Sequence, residues 1–165
     1  MLTLSQEEER RYEELQLMAL EFAREGENTI LQSMIEAGLS PNTTDNRGNS
    51  LLMLSAYNGN ISTCKMLLEF GANPNSQNNH GHSILAGAAF KGYLDICKLI
   101  VEHGAVIDKN ATKNPIVFAA IFGREEVVNY LQSVDNSTNK RNFLDNLMPK
   151  IASFLSLFRK KSTSA

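Results

Sequence analysis

The chain has 165 residues, 42% of them hydrophobic, and a formal net charge of -2. This length suits one domain with a packed core, and the near-neutral charge offers no general attraction to nucleic acid. The sequence contains no apolar run long enough to span a membrane and no signal-type N-terminus. We therefore expect a cytoplasmic protein, with export by another route left open.

The first predicted element is a helix from about Gln6 to Arg24. Ser5 and Glu8 form a capping-box pattern, and the acidic residues 7–9 fall in the first turn, where the helix dipole favours negative charge. The acidic side indicates a solvated face, and a docking surface for a basic partner is the alternative. The apolar side of this helix comprises Leu15, Met18, Leu20 and Phe22.

The central part of the chain consists of two similar consecutive repeats, residues 45–77 and 78–110. Each copy has a polar tip, a short helix after Ser50 or Ser83, a glycine that stops this helix, and a second apolar helix. One helix pair cannot bury both of its faces, whereas stacked pairs can. The repeat therefore predicts an all-α solenoid in which each unit contacts its neighbours.

Degenerate copies flank this centre. Gly26 and Gly38 precede Gly59 and Gly71 of the first full copy by one repeat period, so residues of about 15–44 are predicted to form a degenerate N-terminal cap repeat. Residues 111–135 form a third copy, shortened by two residues at its tip. The predicted repeat domain spans residues 1–139.

The C-terminal segment, residues 140–161, has apolar side chains at steps of three or four and a basic end. This pattern predicts one or more capping helices that cover the third copy, with cations facing the helix dipole. A partner-binding helix and a basic membrane-surface helix are the alternatives. Residues 162–165 are expected to be a disordered tail.

The segments GNSLLMLSAYNG (residues 48–59) and GHSILAGAAFKG (residues 81–92) resemble the phrase Gly-x-Thr-Pro-Leu-His-x-Ala-Ala-x-x-Gly of ankyrin repeats. The chain is thus similar to ankyrin-repeat proteins, most of all to small bacterial ones. Met53 and Ala86 stand where the family has the histidine that ties neighbouring loops, while the helix-capping hydroxyl is kept. The resemblance implies stacked helix-turn-helix units with short hairpin-like loops and helical caps.

Patterns that would support catalysis or metal binding are almost absent. His80, His82, His103, Cys64 and Cys97 are the candidates for a metal site, but none has a metal-ligand spacing. The cysteines hold equivalent positions in successive second helices, whose spacing is too wide for a disulfide, so we expect small buried thiols in a reducing compartment. No nucleophile elbow, phosphate loop or dinucleotide fingerprint occurs. No enzyme activity, metal or cofactor is therefore expected.

The ankyrin resemblance also implies a binding surface. Loop tips and first helices of such repeats line a concave face, and the two residues before each helix-ending glycine project onto it. Those residues are Tyr57, Asn58, Phe90, Lys91, Ile121 and Phe122, with Arg24 and Glu25 in the cap. The polar tips would form a rim of Asn46, Arg47, Asn49, Gln77, Asn79, His80 and His82. In the alternative interpretation, the rings pack on the neighbouring repeat and expose only their edges.

Two function classes follow from this surface. The first is a non-enzymatic module, of adaptor or inhibitor type, that binds a protein partner through its concave face. The second is a secreted or host-directed effector that uses the same surface, with the basic C-terminal helix as an address or membrane contact. The basic residues do not form a continuous stripe, so no nucleic-acid partner is expected. We expect a monomer without a membrane role.

Overall fold

The computed structural model describes residues 5–108 and 113–135, together with Pro149 and Ala152. The described ranges contain eight helices and no strand, which confirms the all-α class. The helices are α1 Gln6–Glu25, α2 Asn28–Glu36, α3 Leu51–Tyr57, α4 Ile61–Glu69, α5 Ile84–Lys91, α6 Leu94–Glu102, α7 Pro115–Ile121 and α8 Glu125–Val134.

Some of the predicted segments fall on residues that are not described. Apart from Pro149 and Ala152, which are helical and exposed, the predicted cap at residues 140–161 lies outside the described residues. The same holds for the tail at residues 162–165 and for residues 109–112 of the shortened tip. The repeat boundaries at 45–77, 78–110 and 111–135 stay a proposal, although each segment contains one helix pair.

The helices form two rows. The odd-numbered helices contact one another in the order α1, α3, α5, α7, the even-numbered helices in the order α2, α4, α6, α8, and each odd helix also contacts the even helix that follows it. The core runs between the rows as one cluster of buried side chains, including Leu31, Leu52, Leu67, Leu85, Ile100, Ile116 and Leu131. This is the stacking that the repeat pattern predicts.

Side-chain caps begin the helices of the odd row. Ser5 and Glu8 form the predicted capping box at α1. Ser50 and Ser83 each accept a hydrogen bond from a backbone N–H in the first turn of α3 or α5, and Asn114 does so for α7. Because an uncapped first turn leaves N–H groups unpaired, these residues fix where each odd helix begins.

Two residues of the apolar side of α1 are exposed. Leu15 is 46% exposed and Met18 is 50% exposed, whereas Ala19, Leu20 and Ala23 are buried. The physical reason is length: α1 has 20 residues and its neighbours α2 and α3 have 9 and 7, so the part of α1 before Ala19 extends past them.

Amide side chains tie neighbouring loops together. The backbone N–H of Asn73 donates to Asn42 Oδ1 at 2.8 Å, and at the equivalent place in the next unit the N–H of Val106 donates to Asn75 Oδ1 at 2.8 Å. Asn75 Nδ2 also donates to the carbonyl oxygen of Gly104 at 2.9 Å. Asparagine therefore links successive loops in a chain that lacks the loop histidine of the ankyrin phrase.

The glycine that ends an odd-numbered helix is covered by a side chain of the next unit. Gly59 has φ +83°, and a Cβ built on it would lie 3.1 Å from Cζ of Tyr93. A Cβ on Gly92, also at φ +83°, would lie 2.7 Å from Cδ of Arg124. Both the left-handed backbone and the close neighbour therefore disfavour a side chain at these positions.

This arrangement gives the first testable expectation, with Gly59→Ala and Gly87→Ala as a matched pair. Gly59→Ala should lower the free energy of unfolding by about 1–2 kcal/mol or more, because a left-handed alanine is strained and meets Tyr93. Gly87→Ala should raise it by about 0.5–1 kcal/mol, because Gly87 lies inside α5 and its nearest obstacle is 3.6 Å away. Urea unfolding measures both, and equal effects would contradict the requirement for glycine at position 59.

Candidate functional site

A predominantly apolar groove of about 420 Å³ crosses the units that contain α3, α5 and α7. Its walls come from the odd helices and its polar edge comes from the loop tips before them. The helices contribute Met53, Leu54, Tyr57, Ala86, Gly87, Phe90 and Phe118, the residue that follows α7 contributes Phe122, and the tips contribute Asn49, Asn78, His82 and Ser83. Stacking therefore gathers residues from three units into one surface.

Three of the predicted rings form a connected row in this groove. The Tyr57 and Phe90 rings are parallel with centroids 6.2 Å apart, and the Phe90 and Phe122 rings meet edge to face at 4.5 Å. Tyr57 is 46% exposed and Phe122 is 40% exposed, while Phe90 is half-buried between them. The outer rings therefore face solvent, and Phe90 packs on its neighbours.

Gly87 leaves a gap in the groove wall. When the two full copies are aligned, Gly87 is equivalent to Leu54 in α3. In the shortened unit that follows, the equivalent residue is Phe118. A Cβ added to Gly87 would meet only Tyr57 Cδ2, at 3.6 Å. We name this gap the Gly87 notch, and a side chain of a bound molecule has room to enter it.

The amides of the tips are largely committed to the loops. Asn49 Nδ2 donates to Asp45 Oδ2 at 2.9 Å, and Asn49 Oδ1 accepts from Asn78 Nδ2 at 2.9 Å. Asn79 Nδ2 donates to the carbonyl oxygen of Asn46 at 3.2 Å. The predicted rim residues Asn49 and Asn79 thus stabilise the tips, which leaves them fewer groups for a partner than the sequence suggested.

His82 lies at the edge of the groove as a half-buried side chain. Its ring centroid is 6.5 Å from that of Phe118. Burial lowers the pKa of His82 below its ordinary value, and the positive charges of Lys113 and His80 lower it further. At pH 7 the imidazole is therefore neutral, and this side of the groove carries no charge from it.

The remaining predicted residues do not line the groove. They are Asn58, Lys91, Ile121, Arg47, Asn79, His80, Arg24, Glu25, Asn46 and Gln77. Lys91 lies at the groove edge, with Nζ 5.0 Å from the centroid of the Tyr57 ring. Asn58 Nδ2 donates to the carbonyl oxygen of Leu54 at 2.8 Å, which ties it to its own helix.

Sequence reasoning missed Met53, Leu54, Asn78, Ser83, Ala86, Gly87 and Phe118. Moving back by one helical turn from each predicted ring would have found three of these residues. Met53 precedes Tyr57 by one helical turn, Ala86 precedes Phe90 by one turn, and Phe118 precedes Phe122 by one turn, so each shares a helix face with a predicted ring. The prediction used the residues before each glycine and did not extend the face backwards by one turn.

A second hollow of about 520 Å³ continues the surface towards α1. It shares Asn49 and Leu54 with the groove. Leu17, Leu20, Arg24, Asp45, Asn46 and Arg47 complete its lining. The candidate site therefore extends over all four odd helices, with a more polar end beside α1.

The described residues give little support to a metal site, a cysteine nucleophile or a membrane span. Within residues 5–108 and 113–135, no group of three His, Cys, Asp or Glu side chains is placed to hold a metal ion. Both cysteines are buried and unpaired, and burial raises the pKa of the Cys64 and Cys97 thiols to about 12, so neither is a thiolate nucleophile at neutral pH. None of the described helices is both long and apolar enough to cross a membrane.

Comparison with known proteins agrees with the fold. A family model described as ankyrin repeats (3 copies) matches residues 18–112 and 72–143. The ankyrin repeat protein PA3287 of Pseudomonas aeruginosa is 37% identical over 46 residues, which are 28% of this chain and 27% of that protein. The aligned part thus spans about a quarter of the relative. Because the family match covers well over half of the sequence, the chain belongs to the ankyrin-repeat family.

Proposed function

We propose that this protein is a non-enzymatic binding module, of adaptor or inhibitor type, that holds a protein partner in the groove of α3, α5 and α7. Ankyrin repeats generally mediate protein–protein interactions, and the family is typically non-enzymatic. The observation that carries the proposal is the connected aromatic row, in which Tyr57 and Phe122 keep nearly half of their surface exposed.

The energetics of the row favour partner binding. Exposed rings that lie together on one surface are typical of interaction sites, and buried aromatic anchors dominate the free energy of many interfaces. Phe90 packs against both Tyr57 and Phe122, so the rings are held before a partner arrives. A preformed surface loses less conformational entropy on binding than a flexible one.

The effector-type alternative gains no comparable support. It relies on the basic residues 159–161 as an address, and these lie outside the described residues. The partner-binding proposal relies only on side chains of the described ranges.

Filling the Gly87 notch tests this proposal. Gly87→Leu should weaken partner binding by about tenfold or more, because the new side chain occupies the apolar space between Tyr57 and Phe90. The fold should survive, since equivalent positions of the neighbouring units carry Leu54 and Phe118. The measurement is quantitative affinity capture from native lysate with the tagged full chain, followed by titration of the captured protein.

Phe70→Ala is the matched control, because Phe70 is an exposed ring that follows α4 in the other row and does not line the groove. It should leave the affinity within about twofold of wild type. A partner that binds Gly87→Leu as tightly as wild type while Phe70→Ala releases it would place the interface on the even row and refute the proposal.

Protonation of His82 gives a second expectation. The folded-state pKa lies below the unfolded value of about 6.5, so the unfolded chain binds the proton first as the pH falls. The stability that neutral His82 contributes is complete above that value and is lost as the pH falls towards the folded pKa.

The check compares wild type with His82→Gln in urea unfolding at neutral and mildly acidic pH. Wild type should lose more stability on acidification than the variant, whose amide does not titrate. Equal losses in the two proteins would assign the pH dependence to other groups.

A further inference from the structure

We propose that the groove selects partner segments in which a carboxylate lies close to a large apolar side chain. This inference rests on the proposed function and specifies the chemistry of the partner. It follows from three features of the described residues: the placement of Lys91, the sign of the other charges around the groove, and the position of the Gly87 notch.

Lys91 is a cation held at the groove edge by aromatic rings. Its Nζ lies 5.0 Å from the Tyr57 ring centroid and 5.9 Å from that of Tyr93, so two aromatic rings position the ammonium group. Within residues 5–108 and 113–135, Lys91 forms no ion pair. A side chain that is already positioned loses less rotamer entropy when it pairs with a carboxylate of another molecule.

Three further cations, Arg47, Arg124 and Lys113, lie near the groove. Arg47 is exposed, lines the adjoining hollow and makes no ion pair within the described ranges. Arg124 is exposed and donates from Nε to the carbonyl oxygen of Phe90 at 3.1 Å, and Lys113 Nζ donates to the carbonyl oxygen of His80. These cations lie on one surface of a chain whose net charge is -2.

The acidic groups of the described residues do not offset these cations. Among the described residues, no Asp or Glu lines the groove. Asp45, in the adjoining hollow, accepts hydrogen bonds from the backbone N–H groups of Arg47 and Asn49 and lies 3.7 Å from Arg24. Its carboxylate is therefore already compensated, and the surface offers its positive groups to a negatively charged partner.

The spacing in α5 relates the charge to the apolar contact. Lys91 follows Gly87 by one helical turn, which is about 6 Å along the helix axis. Two positions of an extended segment span a similar distance, roughly 6.6 Å. A partner segment with a Leu- or Phe-sized side chain in the Gly87 notch would therefore bring an acidic residue two positions away to Lys91.

The experiment selects phage-displayed random peptides on the immobilised full chain, without choosing a partner in advance. The enriched peptides should combine Asp or Glu with a large apolar residue, most often two positions apart. One such peptide, made synthetically, should bind Lys91→Glu about tenfold more weakly than wild type and should lose affinity as NaCl is raised. Lys65→Glu is the charge-matched control on α4, and it should leave the affinity unchanged.

The possible outcomes separate the two proposals. Peptides that lose binding to Gly87→Leu but carry no acidic residue, or bind Lys91→Glu as well as wild type, would overturn the charge inference and leave the groove function standing. Peptides indifferent to Gly87→Leu, or no enrichment at all, would count against both. Thermal melts of each variant confirm that it is folded. A wild-type dimer in light scattering that Gly87→Leu converts to monomer would assign the groove to a second copy and overturn the inference.

Discussion

The structure depends on one contact between successive units. In this contact, a side chain of one helix pair covers the glycine that ends the first helix of the preceding pair. Asn60 lies over Gly26, Tyr93 over Gly59 and Arg124 over Gly92. Three different side chains meet the same kind of site, because a left-handed glycine without a Cβ leaves room for any of them. This contact sets how closely successive units approach, and it aligns the odd helices side by side.

That alignment creates the groove. Tyr57, Phe90 and Phe122 belong to three different units and lie far apart in sequence, yet their rings meet because α3, α5 and α7 stack in register. The core between the two rows buries the aliphatic residues, so the rings are not needed there and remain at the surface. The same stacking that stabilises the solenoid therefore leaves an apolar, preformed surface for a partner.

Local signals in the sequence were enough to predict much of this fold. Ser50, Ser83 and the glycine stops are visible without any structure, because caps and stops depend on residue types a few positions apart. Other features depend on neighbours and could not be predicted in this way. The exposure of Leu15 and Met18 follows from how far α1 extends past α2 and α3.

The candidate site was less accessible to sequence reasoning than the fold. The hydrogen bonds that occupy Asn49 come partly from Asn78 of the next unit, so the sequence of one unit does not show them. Gly87 differs from Leu54 and Phe118 at the equivalent positions, but the gap that it leaves beside Tyr57 became visible only in space. Pairwise contacts between units therefore decide which predicted residues remain free for a partner.

The central claim is that a partner binds across the odd row rather than the even row. Amide NMR spectra of the isotopically labelled chain, recorded with and without the captured partner, test it most directly, since Gly87 reports from inside the groove. The expected result is that the resonances of Ala86, Gly87 and Phe118 shift or broaden most. Largest changes on α4, α6 and α8, with the Gly87 resonance unmoved, would contradict the account.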